Sequence, residues 1–458
     1  MVFKNLAYQS ADELVYGLSK KPVILKNGLS IGGGNVIPEI NFTLPTMSIT
    51  QDTMPQVLEQ YRGLMEDICK RAVDLYVPEF VAEIEVLPPM TFNPQWGIEV
   101  TKVVRDIMYH YENKYGIKGA VRITPVDIRE DRATTHMWSG QNWDNIMTLF
   151  EGAAKAGAEL LAIESIGGKE VHDDATMFAD MRQAVFALGV LGCKDMKKLW
   201  RAIDDIARKT GAVTAGDTAC GFANTAMVLA DRKFVTKSYA AVIRVMTAVR
   251  SLVAYEEGAR GPHKDCGYEG VYVKAITGTP ISMEGKTAAC AHLSPVGNIA
   301  AAMADLWSNE AIQNIKLLGG MAPTVSFEQL VYDCRLMNEA TKRGDATRLL
   351  MRDLLVDSDS YYDPQAYVLR PDVVMDLSKE ILSVDGHFNR VKKAAEVTIQ
   401  TLKDAHKAGK VLIEERELSI LDTLGEQVAG IINDEAAFIE EMKDECDPVK
   451  FDPKKYDL

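Results

Sequence analysis

From Glu79 to Leu330 the sequence alternates short β-branched runs with longer stretches of helical periodicity, which confines the chain to folds built on a parallel sheet. Parallel neighbours need a crossover between them, and a helix is the usual one. The runs EFVAEIEV (79–86), GAVRITPVD (119–127), AELLAIE (158–164), GAVTAGD (211–217), SLVAYE (251–256) and PISMEG (280–285) read as strands. Between most of them, segments such as 142–156, 196–209 and 238–249 carry apolar residues at spacings of three and four. A (β/α)8 barrel and an open doubly wound sheet both satisfy this rhythm, and the acids favour the barrel. Glu85, Asp127, Glu164, Asp217, Glu256 and Glu284 each stand at or near the C-terminal end of a run, so a barrel would gather them at one mouth. Any one of them is equally well read as a helix N-cap. Strands seven and eight are less sharply drawn: 321–330 has room for one, whereas 298–307 and 330–342 read as helical.

The flanks are helical. Val57, Tyr61, Leu64, Ile68 and Cys69 belong to one helix stripe within 53–77, which Pro78 ends. After Pro371 four helices are expected, at 373–382, 389–408, 416–432 and 436–446, followed by a Pro-broken tail, CDPVKFDPKKYDL, that is loose or draped on a neighbour. The expected organisation is therefore an N-terminal segment (1–78) whose helix packs on the barrel, a (β/α)8 TIM-type barrel (79–370), and a C-terminal helical layer with its tail (371–458). Ile420, Leu421, Leu424, Val428, Ile431 and Ile432 put apolar surface on more than one side of their helix, which predicts a homodimer.

Composition removes several functions. With 51 Lys+Arg against 65 Asp+Glu, a net charge of −14 disfavours nucleic acid and anionic membranes as partners. The longest purely apolar stretch, 184–193, is far short of the roughly 20 residues of a membrane span. The N-terminus lacks the apolar core of a secretory signal, so a cytoplasmic location is expected. Seven cysteines, odd in number and thinly spread, do not form a disulfide framework and are available as reduced metal ligands. Nucleotide loops are absent: no GK[ST] follows Gly32, Gly33 and Gly34, Glu170 follows Lys169, and no GxGxxG opens a helix.

Two sets of residues have metal-ligand chemistry. Glu164, Cys220 and Cys266 each lie at or just past the end of a different expected strand, and two thiolates with a carboxylate suit Zn²⁺ while leaving a fourth position open. Cys290 and His292, a Cys-x-His pair in AACAHLSP, are the rivals. His110, His136, His172, His387 and His406 lie in charged or helical segments and read as surface residues, while Cys193 and Cys334 read as core and helix positions.

Taken together, AIESIGGKEVHD, TAGDTACGFANTAM, RSLVAYEEGARGPHKDCGYEG and VKAITGTPISMEGKTAACAH resemble the methanol:corrinoid methyltransferase catalytic subunit of methylotrophic methanogens and acetogens. The resemblance runs from ADELVYGLSKKPV through NPQWGIEV and YGIKGAVR to DPQAYVL, most of the chain. It implies a zinc barrel enzyme, one Zn²⁺ per chain, with the ion on Glu164, Cys220 and Cys266. It also implies methyl transfer from methanol to Co(I) of a corrinoid supplied by a partner protein, and a homodimer within a two-plus-two complex. The sequence departs from the family at Ala219, where an acidic residue is expected beside the cysteine. Methanol is a poor methyl donor because hydroxide is a poor leaving group, and zinc can polarise its oxygen as a Lewis acid. A site with two thiolates and a carboxylate keeps one net negative charge, which makes a proton donor useful; Asp217 and Glu256 are the candidates. The long loop 257–270 suits a mouth that admits a partner's cofactor. Competing readings are a non-catalytic docking subunit for the corrinoid protein, a zinc methyltransferase for another methyl donor, and a zinc hydrolase or lyase, whose usual histidine ligands are absent near Glu164 and Cys220.

Overall fold

Seven parallel strands form one curled sheet: β1 (Ile37–Thr43), β2 (Glu79–Val86), β3 (Lys118–Pro125), β4 (Leu160–Ile163), β5 (Val213–Asp217), β6 (Ser282–Glu284) and β7 (Leu306–Ile312). The computed structural model describes residues 2–43, 47–130, 134–312 and 316–458. The order in the sheet is β5-β4-β3-β2-β1-β7-β6. Residues 260–265 span the remaining gap: the N–H groups of Arg260 and Gly261 donate to Thr214 O, and that of His263 to Pro280 O. On the other side Ser282 N and Glu284 N donate to the carbonyls of His263 and Asp265. An irregular eighth position therefore closes a TIM-type barrel, and helices surround it.

Period-two alternation sorts the strand residues that share the interior into layers. At the N-terminal end Ile37, Val81, Ala120, Leu160, Val213 and Leu306 form an apolar cluster with Val23, Leu25, Leu29 and Ile31. The last four belong to a hairpin of Leu18–Ile24 and Ser30–Gly33, which plugs that end. Two residues further along, the layer becomes charged: Glu39, Glu83 and Arg122 are wholly buried. Arg122 Nε lies 2.7 Å from Glu39 Oε1. Two residues further again, Asn41, Glu85, Glu284 and Glu310 approach the mouth.

Several expectations need correction. Ser251–Glu256 is not a strand: it ends the helix Lys237–Glu256, in which every residue from Ser238 on is buried, so no polar face marks it as helical. The further strand expected within 321–330 is not there, since that segment lies largely in the helix Ala322–Lys342; the last strand in the chain is β7, part of it in a segment that reads as helical. The barrel starts at β1, inside the expected N-terminal segment 1–78, because Glu39 and Asn41 face inward and interrupt the apolar run that would have marked a strand. His172 is buried rather than on the surface.

The C-terminal layer comprises Pro371–Leu382, His387–Lys407, Glu415–Ala429 and Glu435–Glu445. Leu421, Leu424, Val428 and Ile431 are already buried within one chain, so they do not supply the open apolar face from which the homodimer was expected. The tail is draped on its own chain: Phe451 and Tyr456 are buried, and Tyr456 Oη donates to Glu130 Oε1 (2.7 Å) and accepts from Gly168 N (2.8 Å). Among the described residues no helix is long and apolar enough to cross a membrane.

Candidate metal centre

Glu164 directly follows β4, Cys220 opens the helix Cys220–Asp231 three residues after β5, and Cys266 directly follows the eighth barrel position. Three loops at the C-terminal face thus bring one carboxylate oxygen and two Sγ atoms within 4.8 Å of one another. Cys266 Sγ donates to Glu164 Oε1 at 2.8 Å. Cys220, as the first residue of its helix, has the favourable end of the helix dipole for a thiolate.

The framework that holds these donors explains most of the strand-end acids. Asp217 Oδ1 accepts from Ser165 N (3.2 Å), and Asp127 Oδ2 from Ile166 N (3.0 Å), fixing the backbone after Glu164. Buried Arg250 donates to Ser165 O at 2.7 Å. The second segment is tied to the third by Asn224, whose Nδ2 donates to Cys220 Sγ (3.1 Å) and Cys266 O (3.2 Å). Glu269 Oε1 accepts from Ala219 N (2.8 Å) and Ser251 Oγ (2.8 Å), so a buried acid is bonded to the backbone beside Cys220. Gly267 makes this approach possible, since a Cβ there would lie 1.6 Å from Thr218 Oγ1. On β5 the extra residue of a bulge and Gly216, with φ of +112°, make room for the Tyr255 hydroxyl.

Lys264 lies beneath the donors, fully buried, with Nζ 2.8 Å from Glu83 Oε1, 2.5 Å from Asp265 Oδ1, 3.3 Å from Glu164 Oε1 and 3.5 Å from Glu85 Oε1. Carboxylates outnumber cations here, and burial drives the Glu83 carboxyl well above its usual range, whereas Lys264 and Arg122 hold Asp265 below it despite burial. The thiols are also raised. The hydrogen bond with Cys266 favours the Cys220 thiolate, but burial and nearby Glu164 and Glu284 outweigh it and push Cys220 up to about 11; burial carries Cys266 well above the ordinary thiol value. Without a cation both sulfurs keep their protons. A divalent ion with a preference for sulfur supplies the missing charge and releases those protons, so the donor set fits zinc chemically.

The other expected site residues fall elsewhere. Asp217 is buried with both oxygens engaged, Oδ2 by Trp200 Nε1 at 3.1 Å, and burial lifts its carboxyl to about 6. Glu256 ends its helix before the eighth position begins, with His387 Nε2 at 2.7 Å and Arg390 Nη1 at 3.2 Å. Glu256 is not among the groups that converge with Cys220 and Cys266. Asp127 pairs with buried Arg129 at 2.7 Å. Cys290 is exposed, while His292 turns to Glu284 and Glu310, so the rival pair does not converge. Lys264, Asn224, Glu269 and Glu310 escaped sequence reading; the first is the lysine of the KDC motif, and the others have no local signal.

Two thiols and a carboxylate on three loops of an acid-lined mouth make a candidate metal site on a TIM-type barrel. The chain belongs to the methanol-cobalamin methyltransferase B subunit family, whose model matches residues 1–457, and as such it is a methyltransferase. It is 38% identical over 461 residues to a methanol–corrinoid protein co-methyltransferase of Methanosarcina barkeri, covering 99% of this chain and 98% of that protein. The crystal structure of the methanol:cobalamin methyltransferase complex MtaBC from Methanosarcina barkeri matches with a TM-score of 0.94 at 37% identity, covering 100% of this chain and 99% of that one.

Proposed function

We propose that this chain transfers the methyl group of methanol to Co(I) of a corrinoid carried by a partner protein, with one Zn²⁺ held by Glu164, Cys220 and Cys266. The convergence of those three donor atoms, in a chain that matches its family from end to end, carries the reading. Bound there, zinc supplies Lewis-acid pull on the methanol oxygen. The chain's own residues do the rest. Ser165 to Gly168 are pinned by Asp217, Asp127 and Tyr456, which sets the Glu164 carboxylate. Asn224 holds the two cysteine segments at one spacing. Glu85, Glu284 and Glu310 make the mouth electronegative, which disfavours loss of the methanol proton before the C–O bond breaks.

The test is the zinc-loaded chain with methanol and cob(I)alamin, followed by the absorbance of methylcobalamin. Methanol is expected to outperform methylamines and methyl thiols by at least about 10²-fold in kcat/KM, the discrimination a hydroxyl-reading site provides. A better rate with another donor would move the substrate, and zinc at one per chain without any transfer would favour a docking subunit.

The proposal includes a pair of these subunits within a two-plus-two complex. Sedimentation at micromolar concentration is expected to give a species near twice 50.5 kDa; a single species at 50.5 kDa would refute the pair.

A further inference from the structure

The ends of β6 and β7 hold titratable side chains that the metal donors do not use. Glu284 closes β6, Glu310 lies near the end of β7, and His292 follows the short helix Lys286–Ala291. The imidazole stands between the two carboxylates, Nδ1 3.1 Å from Glu284 Oε2 and Nε2 3.4 Å from Glu310 Oε2. Glu284 is 1% exposed, whereas the His292 and Glu310 side chains keep 28% and 18% of their surface in contact with solvent. The Glu284 carboxylate also lies within 4.8 Å of an Asp265 oxygen and Cys266 Sγ. One carboxylate therefore separates the imidazole from the donor trio.

We propose that the His292–Glu284 pair holds the proton taken up by the departing oxygen of the substrate, and that Glu310 connects the pair to solvent; this rests on the methyl-transfer reading above. An imidazole with a carboxylate at each nitrogen is built to stay doubly protonated. The groups facing His292 are Glu284 from β6, Glu310 from β7 and Cys220 at the start of its helix, and a carboxylate oxygen within ion-pair distance of each ring nitrogen favours the charged imidazole. Asp217 serves this purpose less well, because both its oxygens already hold the framework.

The step balances. The electron pair of Co(I) forms the cobalt–carbon bond, the pair of the C–O bond leaves on oxygen, and the oxygen takes one proton from His292–Glu284 to become water. Solvent then restores that proton through Glu310. Hydroxide leaving into a cluster of carboxylates would be strongly disfavoured, so a proton delivered as the bond breaks lowers the barrier.

The test uses the full zinc-loaded chain with methanol and cob(I)alamin, comparing wild type, His292→Gln and His292→Ala. Both variants are expected to keep one zinc per chain and to form methylcobalamin about 10²- to 10⁴-fold more slowly, the range of general acid catalysis. Added imidazole is expected to restore part of the His292→Ala rate. ¹⁵N NMR of the wild type at pH 8 is expected to show both His292 nitrogens protonated. A His292→Gln rate within threefold of wild type, a neutral imidazole at pH 8, or loss of zinc with His292 would each overturn the assignment, the last by making His292 a metal ligand. Absence of transfer in the wild type would remove the methyl-transfer reading itself.

Discussion

Cys220→Ala and Cys266→Ala are each expected to retain less than about a tenth of the wild-type zinc and to transfer methyl groups at least about a thousandfold more slowly, because two protein donors hold the ion too weakly to keep an open Lewis-acid position. The far-ultraviolet spectrum is expected to stay near wild type. Cys220 is half-buried at a helix start and Cys266 follows the last residue of a barrel position, so neither truncation opens the apolar layers. Cys290→Ser is the control and is expected to keep its zinc, since that side chain is exposed and outside the donor group. Metal analysis checks both statements: full occupancy in Cys266→Ala would dismiss the donor set, and zinc loss in Cys290→Ser would relocate it.

Lys264→Met is expected to cost about 3–5 kcal/mol of folding stability at pH 8, the usual penalty for removing one partner from a buried ion cluster. The ammonium lies within 3.5 Å of four carboxylates, and Arg122, the neighbouring cation, is committed to Glu39. The pH dependence has a definite sign. Burial already raises the Glu83 carboxyl above its unfolded value, and losing Lys264 raises it further, so the folded variant binds more protons than the unfolded chain over the interval between those two values. Its penalty is full above the folded pKa and shrinks as pH falls toward the unfolded value near 4.5. Urea denaturation of the metal-free wild type and variant at pH 8 and pH 5 measures this, and a difference under about 1 kcal/mol at pH 8 would show the cluster to be compensated in another way.

Strands with a regular series of apolar residues on the side facing the helices were legible: Phe80, Ala82, Ile84 and Val86 in β2, and Val121 and Ile123 in β3. Glu79–Val86 reads as a strand to the residue, β4 and β5 lie within the runs that announce them, and β3 begins one residue before its run. The donors were legible for a different reason: a carboxylate and two cysteines recur just past strand ends, where a parallel barrel places its chemistry. β1 hid because its helix-facing series is short, Ile40 and Phe42, and Pro38 stands near its start. The helix Lys237–Glu256 hid because burial on all sides erases the periodicity that distinguishes helix from strand.

The strand-end acids show where local reading stops. Sequence places Asp127, Asp217, Glu256 and Glu284 in equivalent positions, yet they hold a loop backbone and Arg129, hold a loop backbone and Trp200, pair with Arg390, and face His292, respectively. By itself the sequence determined the alternation of strand and helix, the net charge that disfavours polyanionic partners, and the types of donor available. Only the tertiary structure decided that residues 260–265 take the eighth barrel position, that a buried lysine lies beneath the donors, and that His292 stands between two glutamates. Propensity and periodicity are set by neighbours within a few residues, whereas register, closure and the pairing of buried charges depend on groups that the folded barrel brings together from opposite ends of the chain.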